Sequence, residues 1–131
     1  MFLETSAIVE YLAEEPRAGE IADRLAAATS PFVTSPTVVF EAAVVLTRIR
    51  KSSVSETKAL ILDFLNFMGV SIIPITPEIG LAAIDAFGRY GKGRGHPAKL
   101  NFSDCFSYAA CRAAGVPLLF VGDDFSKTDL G

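Results

Sequence analysis

Five carboxylates stand where a fold could gather them. Glu4 directly follows the apolar stretch Met1–Leu3, and Asp123 and Asp124 directly follow Leu118–Val121. Glu41 interrupts an apolar run between Phe40 and Ala42, and Asp104 opens a segment whose other face is Phe102, Cys105, Phe106, Ala109 and Ala113. Each has an ordinary structural reading on its own. Asp104 lies three residues after Asn101, a capping-box position, and Asp123-Asp124 after Gly122 is turn chemistry. Glu41 shares a helix face with Thr37 and Arg48, as a solvated stripe would, and Glu4 ahead of Thr5-Ser6 is a helix-start acid. Their conjunction points further. Carboxylates from chain-distant elements repel one another when they converge and then require a cation. An oxygen-only set with no Cys/His cluster points to Mg²⁺ or Mn²⁺ rather than zinc.

A basic loop supplies the complement. Between Ala86 and Ser103 there is no acid, whereas Arg89, Lys92, Arg94 and Lys99 bring four positive charges, with His96 among them. Gly91, Gly93, Gly95 and Pro97 predict an exposed, mobile segment. Beside an acidic metal pocket, such a loop reads as a clamp for phosphate groups. His96 is the sole histidine, which argues against a zinc site and against a His-based triad. No Walker or GxGxxG pattern opens a helix, so nucleotide cofactors have no support.

Positioning these groups requires strands and helices in alternation. Met1–Leu3, Phe32–Thr34, Val70–Ile75 and Leu118–Val121 read as strands. Between the first two, Thr5 or Ser6 caps a helix to about Glu14, and a second helix covers about Ala18 to Ala28. Ser35-Pro36 starts a third, to about Lys51. Ser53 and Glu56 form a capping-box pattern before a fourth, to Met68. Thr76-Pro77 opens a fifth, to Tyr90, and Asn101 caps a sixth that ends at Ala114-Gly115. The alternation predicts an α/β fold: a central parallel sheet of four or five short strands flanked by helices, in one domain over residues 1–131. Sites in such sheets form beyond the carboxyl ends of the strands, where Glu4, Asp123 and Asp124 fall.

Composition bounds the partners. The 131 residues are 50% hydrophobic and 21% charged, which excludes intrinsic disorder. No apolar stretch approaches the ~18 residues of a membrane span. Without a leader-like segment after Met1, a cytoplasmic location is expected. Cys105 and Cys111 are six apart on one helix and cannot bridge, so buried free thiols are expected. The net charge of −3 repels nucleic acid overall, and any nucleic-acid role falls to the basic loop or to metal ions. Leu60–Met68 is apolar nearly all round, more than one core-facing stripe requires, so either it is deeply buried within the protein or part of it faces a partner.

Taken in order, Met1–Val9, Glu41, Arg89–Gly93, His96–Cys105 and Leu118–Phe125 resemble a PIN-domain ribonuclease of the VapC toxin type over essentially the whole chain. The resemblance places the family's acids on Glu4, Glu41, Asp104 and one of Asp123 and Asp124, with a site-ordering hydroxyl on Thr5 or Ser6. It implies a PIN-like three-layer fold and Mg²⁺-dependent cleavage of RNA to 5′-phosphate and 3′-hydroxyl ends. A homodimer is implied as well, with a cognate VapB-type antitoxin that inserts into the active-site groove. In this reading Glu4 and Asp104 hold the metal, and Glu41 holds a second ion or orients the attacking water. Arg89, Lys92, Arg94 and Lys99 position the RNA without reading bases. One residue departs from the pattern: the first acid is usually aspartate and here is Glu4. The extra methylene displaces the carboxylate by roughly an ångström, which can cost about a hundredfold in rate. A catalytically silent RNA- or protein-binding module on the same fold is therefore the alternative. A phosphoacceptor receiver would need a lone aspartate ending a middle strand, where this chain has Pro74-Ile75-Thr76.

Overall fold

Strand-forming residues are few, and the sheet is correspondingly small. The computed structural model describes residues 1–131 and contains β1 (Phe2–Leu3), α1 (Thr5–Leu12), α2 (Ala18–Ala27), β2 (Val33–Thr34), α3 (Pro36–Arg50), α4 (Val54–Phe67), β3 (Ser71–Ile72), α5 (Pro77–Tyr90), α6 (Phe102–Ala114) and β4 (Leu118–Leu119). The four strands form one parallel sheet in the order β3-β2-β1-β4. The α/β class and the parallel sheet of short strands are those the alternation predicts. The chain leaves β1 for β2 and β3 on one side and returns to β4 on the other. Strand order therefore reverses between β1 and β4, and the crevice beyond their carboxyl ends is where open α/β sheets bind ligands.

Two strands are shorter than the apolar runs that encode them, for identifiable reasons. β3 was expected over Val70–Ile75, but Pro74 has no N–H to give to a ladder; the last sheet bond runs from Ile73 N to Thr34 O at 2.9 Å. β4 was expected to reach Val121, but the Val121 N–H donates to the Ser6 hydroxyl at 2.9 Å rather than to a strand. Phe2, Leu3, Leu119, Ile8, Leu46 and Ile61 are almost fully buried and build the core around the two central strands. No helix is long and apolar enough to cross a membrane.

The helix starts follow side-chain caps. Ser35, Thr76 and Asn101 accept from the backbone N–H groups of Val38, Ile79 and Asp104. Gly115 ends α6 at φ 67°, a left-handed conformation that glycine adopts without steric cost. Two caps differ from the sequence reading. At Ser53 only half of the box forms, Glu56 N donating to the serine hydroxyl without a return bond from the Glu56 side chain. The cap of α1 is Glu4 itself, not Thr5 or Ser6, which lie inside the helix. Glutamate is an unusual cap, and its use here turns a helix-start acid into a fixed element of the crevice.

Candidate active site

The carboxyl ends of β1 and β4 are stitched together by one serine. The Ser6 backbone N–H and hydroxyl both donate to Glu4 Oε2, at 2.7 and 2.5 Å, and the hydroxyl in turn accepts from Val121 N. Glu4 is only 4% exposed. Burial pushes its pKa up to about 7 against the two Ser6 bonds, with Asp104 and Glu41 adding to the rise. Asp104 is anchored at the start of α6 by a reciprocal box: its N–H donates to Asn101 Oδ1 at 2.9 Å, and Asn101 N donates to Asp104 Oδ2 at 3.1 Å. Burial pushes its pKa up to about 6, helped by Asp124 and Glu41 and offset by the Asn101 bond. From α3, Glu41 reaches the same region, where Ser103 Oγ donates to its Oε2 at 2.7 Å.

The three anchored carboxylates share a pattern. Each uses one oxygen to hold its place (Glu4 Oε2, Asp104 Oδ2, Glu41 Oε2) and its other oxygen receives no hydrogen bond from the protein. The one fully buried side-chain polar atom without any partner is the Thr5 hydroxyl, next to Glu4. The free carboxylate oxygens therefore keep access to solvent.

Glu4 lies within electrostatic reach of Asp104 and Glu41, and Asp104 within reach of Glu41 and Asp124. Asp123, a candidate on equal terms with Asp124 in the sequence, acts on none of them. Its carbonyl instead takes the Ser126 N–H and hydroxyl, at 3.2 and 2.8 Å, and so serves the turn after β4. Of the two candidate hydroxyls, Ser6 orders the crevice and Thr5 is left unpaired. Ser103 was not singled out from the sequence, although its place one residue before Asp104 is a usable signal.

The basic loop is exposed but better tied than its glycines suggest. Leu100 N donates to Tyr90 O and Lys92 N to Leu100 O, both at 2.9 Å, so its two ends are laced in a parallel bridge. Inside it, Ala98 N donates to His96 Nδ1 at 3.0 Å and the His96 ring meets Tyr90 edge-on. Gly91 is required at its start, because a Cβ there would lie 2.3 Å from the Phe87 ring. None of Arg89, Lys92, Arg94 and Lys99 forms an ion pair with a protein acid; the single salt bridge joins Arg112 and Asp129. Lys92 lies with Asn101 and Phe102 along one groove at the start of α6, whereas Arg89 stacks over Tyr90 and lines a separate hollow with Arg112. Cys105 and Cys111 are buried and free.

The donor chemistry fits a hard divalent cation. Every candidate ligand is a carboxylate oxygen, and those of Glu4 and Asp104 are partly desolvated and short of hydrogen-bond donors. No three Asp, Glu, His or Cys side chains stand close enough together to hold one metal ion, so the protein offers at most a pair of carboxylates to it. Mg²⁺ is bound by one or two carboxylates and completes its sphere with water.

Comparison with known proteins gives one answer. The family described as PIN domain matches residues 1–130. A VapC ribonuclease of Rhizobium meliloti is 41% identical over 140 residues, covering 99% of both chains. The ribonuclease VapC36 of Mycobacterium tuberculosis is 43% identical over 131 residues, covering 99% of this chain and 91% of its own. Among solved structures, Mycobacterium tuberculosis VapC20, described as a sarcin-ricin loop cleaving toxin, superposes with a TM-score of 0.76 at 22% identity, over 95% of this chain and 92% of that one.

Proposed function

The chain belongs to the PIN-domain family, as one of its VapC ribonuclease toxins, and on that premise we propose that it hydrolyses RNA phosphodiester bonds with Mg²⁺ in the crevice between β1 and β4. The observation that carries this reading is the pattern of the carboxylates: Glu4, Asp104 and Glu41 each have one oxygen anchored and one free. Burial raises Glu4 to about 7 and Asp104 to about 6, so the crevice gains most from a bound cation.

In this mechanism Glu4 and Asp104 would hold Mg²⁺ or Mn²⁺, with Asp124 adding negative charge beside Asp104. A bound Mg²⁺ supplies a more acidic water and charge neutralisation at the scissile phosphate. Glu41, fixed by Ser103, accepts a hydrogen bond from the attacking water with its free oxygen and orients it for in-line attack. The Ser6 bonds keep Glu4 in place, an ordering that matters because the glutamate carboxylate has one more rotatable bond than aspartate. Lys92, Arg94 and Lys99 hold backbone phosphates, a contact that gives affinity without base reading; Arg89, in its separate hollow beside Arg112, is left out of this clamp. The products carry 5′-phosphate and 3′-hydroxyl ends. The protein acts in the cytoplasm as a homodimer, supported by exposed Leu62 and Phe67 on α4, and a cognate VapB-type antitoxin covers the groove.

Incubation of total bacterial RNA with Mg²⁺, with EDTA and with the Asp104→Ala variant tests this reading. Discrete fragments that require Mg²⁺ and vanish in the variant are expected. Loss of cleavage in the wild type that Glu4→Asp restores would instead favour a silent RNA- or protein-binding module, made so by one methylene at position 4.

A further inference from the structure

Where α5 meets α6, small residues leave a hollow that neither the carboxylates nor the basic loop uses. Ala86 and Ala109 are almost fully buried there, and with Ala82 they open a space of about 340 Å³. Asp85, Arg89 and Arg112 stand around it, together with the rings of Tyr90 and Tyr108. Arg89 has Asp85 one helical turn before it, the spacing of a favourable ion pair, yet forms none. Its guanidinium lies instead on the face of Tyr90, 4.8 Å from the ring centre. A guanidinium held by a ring face keeps the N–H groups of its edge free for an acceptor. Arg112 is fixed differently. One of its nitrogens pairs with Asp129, which the Tyr108 and Tyr90 hydroxyls hold in turn. No other protein carboxylate meets Arg112. Two guanidinium groups are thus set around one hollow, and both have donors to spare.

We propose that this hollow is a second phosphate site, in which Arg89 and Arg112 grip a backbone phosphodiester of the RNA away from the bond that is cut. This rests on the ribonuclease reading above and adds a hold on the substrate remote from the crevice. Asp104, Tyr108 and Arg112 follow one another at four-residue steps along α6, so Arg112 lies about 12 Å of helix rise beyond Asp104. The segment after β4 spans the same interval. Asp124 adds its charge beside Asp104 at one end of it, and Asp129 pairs with Arg112 at the other. A strand whose scissile phosphate occupies the crevice carries further phosphates at such distances. Helix α5 stands between the hollow and the groove of Lys92: Ala83 and Phe87 line that groove, whereas Ala82 and Ala86 line the hollow. A short RNA held at Lys92 therefore stops before the two arginines, and a longer one reaches both. Planar guanidinium forks match the oxygens of a phosphate, which an ammonium meets only as a point charge. The volume, at the low end of small-molecule sites, suits one phosphate and its ribose rather than an extended acidic peptide. Asp85, the carboxylate that lines the hollow, opposes a doubly charged terminal phosphate more than a singly charged diester.

The test compares an RNA hexanucleotide with a thirty-nucleotide RNA, each cleaved in Mg²⁺ and each bound in Ca²⁺ so that affinity is read without hydrolysis. Arg89→Gln and Arg112→Gln should each weaken binding of the long RNA by about three- to tenfold and lower its salt slope by up to about 0.7. For the hexanucleotide the loss should be several times smaller. In cleavage of the long RNA, the variants should raise KM more than they lower kcat. Arg89→Lys keeps the charge without the fork, so it should restore the salt slope but only part of the affinity. Asp85→Asn should act in the opposite direction and tighten the long RNA by about twofold. Removing a 5′-phosphate from the long RNA should leave all these differences in place. Because Arg112 also holds Asp129, Arg89→Gln decides the matter if Arg112→Gln melts early. The inference is overturned if Arg89→Gln binds the long RNA as the wild type does, which would give the hollow to an acidic protein partner. Equal losses on the two RNAs would overturn it too, since a remote site acts on the longer strand. A loss confined to 5′-phosphorylated RNA would assign the arginines to a chain end instead of the backbone. If the wild type binds and cleaves neither RNA, the ribonuclease reading fails and takes this inference with it.

Discussion

Helix α6 has an aspartate near each end, and the protein treats them in opposite ways. At the first turn, Asp104 is buried and receives one protein hydrogen bond, from Asn101 N at 3.1 Å, while Asp124 and Glu41 add negative charge nearby. Beyond the last turn, Asp129 receives the Tyr108 hydroxyl at 2.5 Å and the Tyr90 hydroxyl at 3.3 Å on one oxygen, and Arg112 at 3.3 Å on the other. Asp104 is pushed up to about 6, chiefly by burial. Asp129 is held below the ordinary aspartate range, chiefly by the Tyr108 bond. A carboxylate supplied with donors from its own chain is part of the scaffold. One buried among other carboxylates and left short of donors is a place for something from outside.

Exchanging each aspartate for asparagine is the strongest way to break that contrast. Asp104→Asn keeps an oxygen for Asn101 N and so preserves the α6 cap, but removes a charge from the crevice. RNA cleavage should fall by about a hundredfold or more, while the metal-free protein should melt no lower than the wild type, because repulsion has been relieved. Asp129→Asn should do the reverse: a lower melting temperature and near-normal turnover of bound RNA. Cleavage rates and thermal scans on the two variants decide the matter. Similar losses of activity in both would remove the distinction between a scaffold aspartate and a site aspartate.

Titration sharpens the same contrast. Glu4 and Asp104 bind protons more tightly in the folded state than in the unfolded one, since their pKa values are raised from 4.5 and 3.8 to about 7 and about 6. Between those limits the native state carries more protons than the unfolded chain. Metal-free stability should therefore fall as pH rises from about 4 to 7 and then level off. Glu4→Gln keeps an oxygen for both Ser6 bonds and removes about half of this dependence, raising the metal-free melting temperature at pH 7.5 by on the order of 5 °C. Added Mg²⁺ should stabilise the wild type at pH 7.5 and do much less for Glu4→Gln. Thermal scans from pH 5 to 8, with and without Mg²⁺, give both readings. A wild-type curve that rises with pH in this window would mean that the crevice is wetter than its burial indicates.

Much of this architecture is legible from local signals. Pro36, Pro77, Ser35, Thr76, Asn101 and Gly115 carry their helix boundaries in their own backbone chemistry, and the four acids of the crevice lie at strand ends or amid apolar helix residues. The parts that escape are those set by contacts between distant segments. Nothing local separates Asp123 from Asp124, because the choice is made by which of them approaches Asp104 across 20 residues of chain. The Glu4 cap depends on Ser6, whose hydroxyl is itself positioned by Val121, 115 residues away. The Asp129 cluster has no sequence signature at all: Tyr90 ends α5, Tyr108 lies in the middle of α6, Asp129 lies in the segment after β4, and the two tyrosines meet because α5 packs along α6.

That last cluster gives the smallest effect and the finest comparison, because two tyrosines compete for one oxygen. Tyr108→Phe removes the 2.5 Å bond and Tyr90→Phe the 3.3 Å bond, each with little change in ring packing. At neutral pH, Tyr108→Phe should cost about 1 kcal/mol, the low side for a bond to a charged group because Asp129 stands about a third open to water. Tyr90→Phe should cost a few tenths of that, since its ring still packs edge-on against His96 and beneath Arg89. The pH dependence has the opposite sign to that of Glu4. A depressed carboxylate stabilises the fold above its unfolded pKa, and that contribution is lost as pH falls through the folded value. The gap between wild type and Tyr108→Phe should therefore be constant through neutral pH and close only in acid, below the ordinary aspartate range. Urea midpoints at constant m, taken from pH 7 downward, measure it. A gap that persists in acid would assign the loss to packing of the Tyr108 ring, and Asp129 would then be a surface acid that the fold merely tolerates.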